Sequence, residues 1–284
     1  MKLASWLLRM SCIPLLVYVG FTVLLAVFQN QFIYFPSRAE EKQLLREASS
    51  TGLEPWRDAG GAIIGWKSVR GGAAAANRMI VFHGNAGYAV YRSYFVEGFE
   101  SIDAGKTWEV YLFEYPGYGA RPGKPGEMVF NDAANAALRS LLGAGKKPVF
   151  LLGESIGAGV ACHVASELPN EVAGLFLVTP FTTLPDVAAH HYPFLPVRML
   201  LSERYDNVAA LKKYDGPVAF LLAGSDEVIP VKFGRNLYDG YTGAKCLWTQ
   251  ENATHNTVDY DPRAPWWRDV SNFLLTRPSA ATPE

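Results

Sequence analysis

Val149-Phe150-Leu151-Leu152-Gly153-Glu154-Ser155-Ile156-Gly157 is the stretch that decides how this chain folds. Four apolar residues run into a G-x-S-x-G pattern, and a segment of helical composition, Ser155–Leu168, follows at once. A run that is apolar on both faces suits a strand of a parallel sheet covered by helices on each side. The glycines let the backbone pass close while Ser155 sits on a tight turn, its hydroxyl raised over the sheet edge. The helix that opens there favours developing negative charge beside the hydroxyl. The pentapeptide alone is a weak signal; the strand, turn and helix around it give it weight.

Outward from this stretch the same grammar repeats. Met79–Phe82, Val110–Phe113, Leu175–Val178 and Val218–Leu222 are further short apolar runs, and Glu127–Leu142 is long enough for a right-handed crossover helix. One α/β domain with a mostly parallel central sheet and helices on both faces is predicted. The interval Phe181–Gly216, rich in Pro, His and Tyr, reads as a short excursion over the carboxyl ends of the strands, where ligands of such sheets bind.

A serine hydroxyl needs a base, and the base needs an orienting acid. With a strand–turn–helix nucleophile the chain order is serine, acid, histidine. His190 and His191 precede the acid candidates, and His163 lies eight residues along the helix that follows Ser155. His255, after the apolar strand Lys245–Thr249 and before the helical segment Trp266–Leu275, is the candidate base. Asp226 in Gly224-Ser225-Asp226-Glu227 is the candidate acid, with Glu227 its neighbouring alternative; Asp259 and Asp261 follow His255 and break the order. Two backbone amides must meet the oxyanion. Ile156 N–H, immediately after the nucleophile, is one; Asn85 N–H, in the small-residue loop His83-Gly84-Asn85-Ala86-Gly87, is the other, and His83 reads as a structural hydrogen-bonder.

The amino terminus has a different character. Between Arg9 and Arg38 there is no charged residue, and Met10–Phe28 is a run of 19 mostly apolar residues. As a helix it would span roughly 28 Å, near the thickness of a bilayer core. Trp6 before it and Phe32, Tyr34 and Phe35 after it stand where interfacial aromatics gather. The run is longer than a secretory core, and Ala26-Val27-Phe28 ends in a bulky residue where a cleavage site needs a small one. One transmembrane helix is therefore expected, with residues 1–36 as anchor, residues 37–284 as the catalytic domain, and Gln29–Gly52 as the linker, part of which, Ala39–Ser49, has helical composition. The short basic tail with Lys2 and Arg9 places the domain on the non-cytoplasmic side.

Of 26 basic residues only these two precede residue 37, so 24 basic stand against 27 acidic ones beyond it, a formal charge of −3. That balance lacks the basic footprint of a nucleic-acid binder. Three scattered cysteines exclude a disulfide framework, and no C-x-x-C pair points to a metal. The proposed chemistry needs neither metal nor organic cofactor.

The chain resembles the α/β-hydrolases over about residues 32–276, in particular membrane-anchored serine hydrolases related to the prolyl-oligopeptidase-like, serine aminopeptidase-like branch. The resemblance rests on Phe32-Ile33-Tyr34-Phe35-Pro36, His83–Gly87, Tyr115-Pro116-Gly117-Tyr118-Gly119, Gly153–Gly157, Thr179-Pro180-Phe181-Thr182, Gly224–Pro230 and His255. It implies an α/β-hydrolase fold with a short cap, a Ser155, Asp226 and His255 triad, and Asn85 and Ile156 as oxyanion donors. Ala120-Arg121 departs from the small hydroxyl residue that many relatives carry there. Cleavage of a small acyl ester, thioester or acyl lipid through an acyl-Ser155 intermediate is the expectation. A peptidase with the same triad and an inert, membrane-tethered binding protein are the alternatives.

Overall fold

The structure, a computed structural model, describes the backbone of residues 2–70 and 74–276 and the side chains of residues 13–70 and 74–276; the side chain of Trp6 and the polar tail lie outside the described residues. The chain opens with α1 (Lys2–Ile33), β1 (Phe35–Pro36), α2 (Glu41–Ser50), β2 (Leu53–Arg57) and β3 (Ile63–Ser68). The central part follows with β4 (Asn77–Phe82), β5 (Ala86–Gly87), α3 (Ser93–Asp103), β6 (Trp108–Phe113), α4 (Glu127–Gly143), β7 (Val149–Glu154), α5 (Ile156–Glu167) and β8 (Val172–Val178). Beyond these come α6 (Leu184–His191), α7 (Val197–Leu200) and α8 (Asn207–Leu211), then β9 (Val218–Ala223), α9 (Val231–Gly240), β10 (Lys245–Gln250) and α10 (Trp266–Thr276).

Eight strands form one sheet in the order β10-β9-β8-β7-β4-β6-β3-β2. The six strands from β10 to β6 pair in parallel, and β3 and β2 add an antiparallel edge. All six predicted strand runs are present. Alternate side chains of β4 go to opposite layers: Ile80 and Phe82 pack with Ala134 and Leu138 of α4 and Val160 of α5. Met79 and Val81 pack with Phe95 and Phe99 of α3 and with Val270 and Leu274 of α10. Both faces are thus buried, which explains why these strands carry no polar alternation. Each such side chain contributes about 1.5–3 kcal/mol by leaving water.

The segment expected as a linker is folded throughout, and its stretch of helical composition, Ala39–Ser49, falls on α2 as expected. α1 runs on through Gln29-Asn30-Gln31, β1 pairs in parallel with β5, and α2 buries Leu44 and Ala48 against the sheet. Sequence reasoning missed the β2–β3 hairpin: β2 is mixed in character, and the apolar stretch Ile63–Trp66 of β3 is short and interrupted by Gly65. Pro55 is tolerated in β2 because β2 is the outermost strand, and Trp56 meets the Tyr111 ring edge-on at 4.9 Å. Within α1, Ile13–Ile33 is long and apolar enough to cross a membrane and is almost entirely exposed.

The predicted excursion between β8 and β9 forms a cap of three short helices. Its base is closed by Leu184 N–H donating to Arg204 O at 3.0 Å and by Asn207 Nδ2 donating to Phe181 O at 2.8 Å. Tyr34, just past α1, is buried and donates its hydroxyl proton to Glu203 of the cap, whose carboxylate also accepts from Glu127 N–H at 2.5 Å. The chain leaving α1 is therefore stitched to both the cap and the start of α4.

Candidate active site

Ser155 stands between β7 and α5 at φ 55° and ψ −118°, a strained conformation for a residue with a side chain. The turn is held by Ser155 N–H donating to Val178 O at 2.9 Å and by Ala158 N–H donating to Ser155 O at 2.9 Å. Its glycines are sterically required. A Cβ on Gly157 would stand 2.1 Å from Phe82 O, and one on Gly153 would stand 2.5 Å from the Ala158 Cα. The close approach of strand, turn and helix is what lifts the hydroxyl above the sheet edge.

The structure brings Ser155, His255 and Asp226 together from three different strand ends. His255 Nε2 lies 3.1 Å from Ser155 Oγ, and His255 Nδ1 lies 2.7 Å from Asp226 Oδ2. Asp226, buried at the end of β9, spends its other oxygen on its own turn: Oδ1 accepts from Val228 N–H at 2.9 Å and Ile229 N–H at 2.7 Å. The carboxylate is thereby fixed in rotation before it meets the imidazole. Glu227, the alternative acid, is exposed. The loop bearing His255 is tied to the acid's loop by Ser225 N–H donating to Ala253 O at 2.9 Å.

Asn85 and Ile156 both line the cavity of about 620 Å³ onto which Ser155 and His255 face. Among the described residues neither backbone amide donates a hydrogen bond. The Asn85 side chain works as a brace: Oδ1 accepts from Phe35 N–H at 3.1 Å and from the Tyr118 hydroxyl at 3.0 Å, and Nδ2 donates to Ile33 O. The conformation of this loop is thus coupled to the end of α1.

The other histidines fall elsewhere. His83 is buried with Nδ1 2.6 Å from Gly84 O and its ring against Tyr115 at 4.4 Å, the structural role expected of it. His191 borders the cavity, with Nε2 2.9 Å from Val228 O, and His190 Nδ1 lies 3.1 Å from Lys232 Nζ. Asp259 and Asp261 hold their own loop, accepting from Asp261 N–H and Arg263 N–H. Arg121, the departure from the family pattern, stacks over Phe113 at 5.0 Å and donates to Glu114 O, so it braces its loop in place of a hydroxyl. A cavity of about 680 Å³ lies far from this chemistry, at the amino-terminal ends of β7 and β8 around Pro148 and Val172.

Sequence reasoning missed Glu154, the residue before Ser155. Its carboxylate accepts from Gly84 N–H at 2.9 Å, from Arg92 Nε at 2.8 Å and, through Oε1, from the Tyr94 hydroxyl at 2.9 Å. Burial alone would raise its pKa, but the Arg92 guanidinium and these donors hold it below the usual carboxylate range. Gly84 adjoins Asn85, so the Arg92–Glu154 pair fixes the His83–Gly87 loop from beneath. An acidic residue ending an apolar strand and one arginine in the aromatic stretch Tyr88–Phe95 were the available signals.

A parallel sheet with a sharp nucleophile turn, an acid after a later strand and a histidine near the end is the arrangement of the α/β-hydrolases. Residues 77–213 match the family described as the alpha/beta hydrolase fold. An uncharacterised protein of Mycobacterium tuberculosis is 33% identical over 218 residues, covering 74% of each chain. Alpha/beta hydrolase domain-containing protein 17C of Xenopus laevis is 26% identical over 232 residues, 80% of this chain and 71% of its own. Among solved structures, an esterase of Pyrococcus furiosus superposes with a TM-score of 0.63 at 16% identity, covering 86% of this chain and 98% of its own. A monoacylglycerol lipase of Paleococcus ferrophilus gives 0.54 at 18% identity, covering 75% and 99%. The chain belongs to the α/β-hydrolase superfamily.

Proposed function

We propose that this chain is a serine hydrolase, carboxylesterase-like, that cleaves carboxylic ester or thioester bonds through an acyl-Ser155 intermediate. The unbroken path Asp226–His255–Ser155, with contacts of 2.7 and 3.1 Å, is the observation that carries this reading. Ser155 Oγ attacks the acyl carbonyl while His255 Nε2 takes its proton, and Asp226 holds the ring and favours the imidazolium. The carbonyl oxygen, now negative, accepts from Asn85 N–H and Ile156 N–H. Collapse expels the alcohol or thiol with the proton from His255. Water then enters, gives a proton to His255, attacks the acyl carbon and releases the acid, and the proton returns to Ser155. The relatives that are esterases or lipases support an acyl substrate by analogy.

In this reading residues 1–36 anchor the protein in a membrane and residues 37–284 form the catalytic domain, with Lys2 and Arg9 on the cytoplasmic side and the domain on the other. The motifs shared with membrane-anchored serine hydrolases support a place in the prolyl-oligopeptidase-related branch. Labelling with a fluorophosphonate probe tests the nucleophile: wild type is expected to react and Ser155→Ala to stay unlabelled. Equal labelling of both would end the proposal. A labelled wild type that hydrolyses aminoacyl amides and no acyl ester of any chain length would replace the esterase with a peptidase.

A further inference from the structure

Two cavities share a wall. The one over Ser155 and a second of about 360 Å³, between α1 and the cap, have Phe32, Ile33, Leu184, Ala188 and Tyr192 in common. Leu25 and Ala26 of α1 and Leu195 and Leu201 of the cap extend the second cavity away from the nucleophile. Besides Tyr192, its polar side chains are Gln29 and Thr22, and both of these are engaged. Thr22 Oγ1 donates to Tyr18 O at 2.7 Å, while Gln29 Oε1 accepts from Ser202 N–H at 2.7 Å. Thr22, Leu25, Ala26, Gln29 and Ile33 recur at helical spacing, so one stripe of α1 faces the cap.

The level at which this groove lies is decisive. The Tyr18 hydroxyl donates to Phe194 O at 2.7 Å, so the cap follows α1 from Ile33 back to Tyr18, about 22 Å of helix. That stretch belongs to the segment whose length and apolarity suit a bilayer. The cap's outward side chains here are apolar as well, Tyr192 60%, Phe194 88% and Met199 87% exposed. A soluble surface seldom gathers such residues, and beside a membrane helix they match lipid.

We infer that the groove between α1 and the cap is the acyl-chain subsite of the Ser155 site. It takes the long alkyl chain of a bilayer-resident ester or thioester sideways out of the leaflet, with the membrane helix itself as one wall. This inference rests on the hydrolase reading above and names its substrate class. A chain lying along Leu25 and Ala26 passes the shared wall at Phe32 and Ala188 and delivers its carbonyl to Ser155. The leaving group then points to the side of His191 and Glu227, toward solvent. Each further methylene held in the groove should raise kcat/KM by up to roughly fourfold until the groove is full.

The test uses the full chain in phosphatidylcholine vesicles, with acetyl and palmitoyl thioesters and oxyesters of one chromogenic leaving group. Ala26 lines the groove but not the cavity over Ser155, so Ala26→Trp fills the groove alone. The ratio of palmitoyl to acetyl kcat/KM should fall at least about tenfold in that variant, the loss of two or more buried methylenes. Acetyl turnover with a ratio within twofold of wild type overturns the groove and leaves the hydrolase standing. Wild type that hydrolyses neither ester overturns the hydrolase reading and this inference with it. A second measurement needs no variant: a palmitoyl-length fluorophosphonate with a diazirine at its far end is bound to Ser155 and irradiated. Peptide mapping should find the crosslink on α1 between Leu24 and Ile33 or on the cap between Leu184 and Leu201. Crosslinks confined to bulk lipid or to other segments overturn the assignment.

Discussion

The floor and the roof of the site are built by opposite means. The floor lies at the ends of β4, β7 and β9, where buried polar groups are tied several times over: Glu154 by Gly84, Arg92 and Tyr94, and Asp226 by Val228, Ile229 and His255. The roof, made by the end of α1 and the cap, is apolar, partly exposed and held by a few polar contacts at Tyr18, Gln29 and Tyr34. A floor of satisfied hydrogen bonds fixes atoms within a narrow range, as bond-making requires. A roof of apolar side chains fixes little but excludes water and accepts chains of methylenes. In the proposed reading chemistry and substrate choice are therefore separable, and substitutions should divide accordingly.

The largest effect is expected at the floor's acid. Asp226→Asn keeps the shape of the side chain but alters the proton held on His255 Nδ1, and turnover of an acetyl ester should fall by about 10⁴ with the fold retained. A loss under about tenfold, measured by kcat with intact near-ultraviolet circular dichroism, would break the claim that the floor governs chemistry. Next comes the elbow. Gly157→Ala drives a Cβ to 2.1 Å from Phe82 O, a backbone atom that cannot give way cheaply. Thermal unfolding should show a loss of at least about 3 kcal/mol, at the upper end for overpacking of a core.

Arg92→Met leaves the Glu154 carboxylate, 15% exposed, without its cation and should destabilise by about 2–3 kcal/mol at neutral pH. The sign with pH follows from the lowered pKa of Glu154. The pair stabilises the fold fully above the unfolded carboxyl pKa, about 4.3, and that contribution fades as pH falls through the lower folded value. The gap between wild type and variant, read from denaturant midpoints, should therefore narrow on acidification below about pH 4. The smallest effect belongs to the roof. Gln29→Leu removes the contacts to Leu200 and Ser202 and should cost only about 1–2 kcal/mol. A larger loss would mean that the roof is as tightly specified as the floor.

The same division governs what the sequence made legible. Strands buried on both faces advertise themselves as apolar runs, so all six parallel strands could be read, as could the elbow, whose glycines and serine are local requirements. Ser155, Asp226 and His255 could be ordered along the chain because each follows a legible strand. The β2–β3 hairpin was hidden because Leu53-Glu54-Pro55-Trp56-Arg57 is an edge strand, half covered and mixed in character. α1 outran its apolar run because Gln29 is satisfied by Ser202, 173 residues away, a partner no local pattern reveals. The Arg92–Glu154 pair was missed for the same reason, its members being 62 residues apart.

The covalent intermediate offers the most direct test of the account. Wild-type protein mixed with a chromogenic acyl ester, quenched in acid within the first turnovers and peptide-mapped by mass spectrometry should carry the acyl mass on Ser155. Under the same quench, Ser155→Ala should carry none. An acyl group found on another residue, or ester hydrolysis at the wild-type rate by Ser155→Ala, would contradict it.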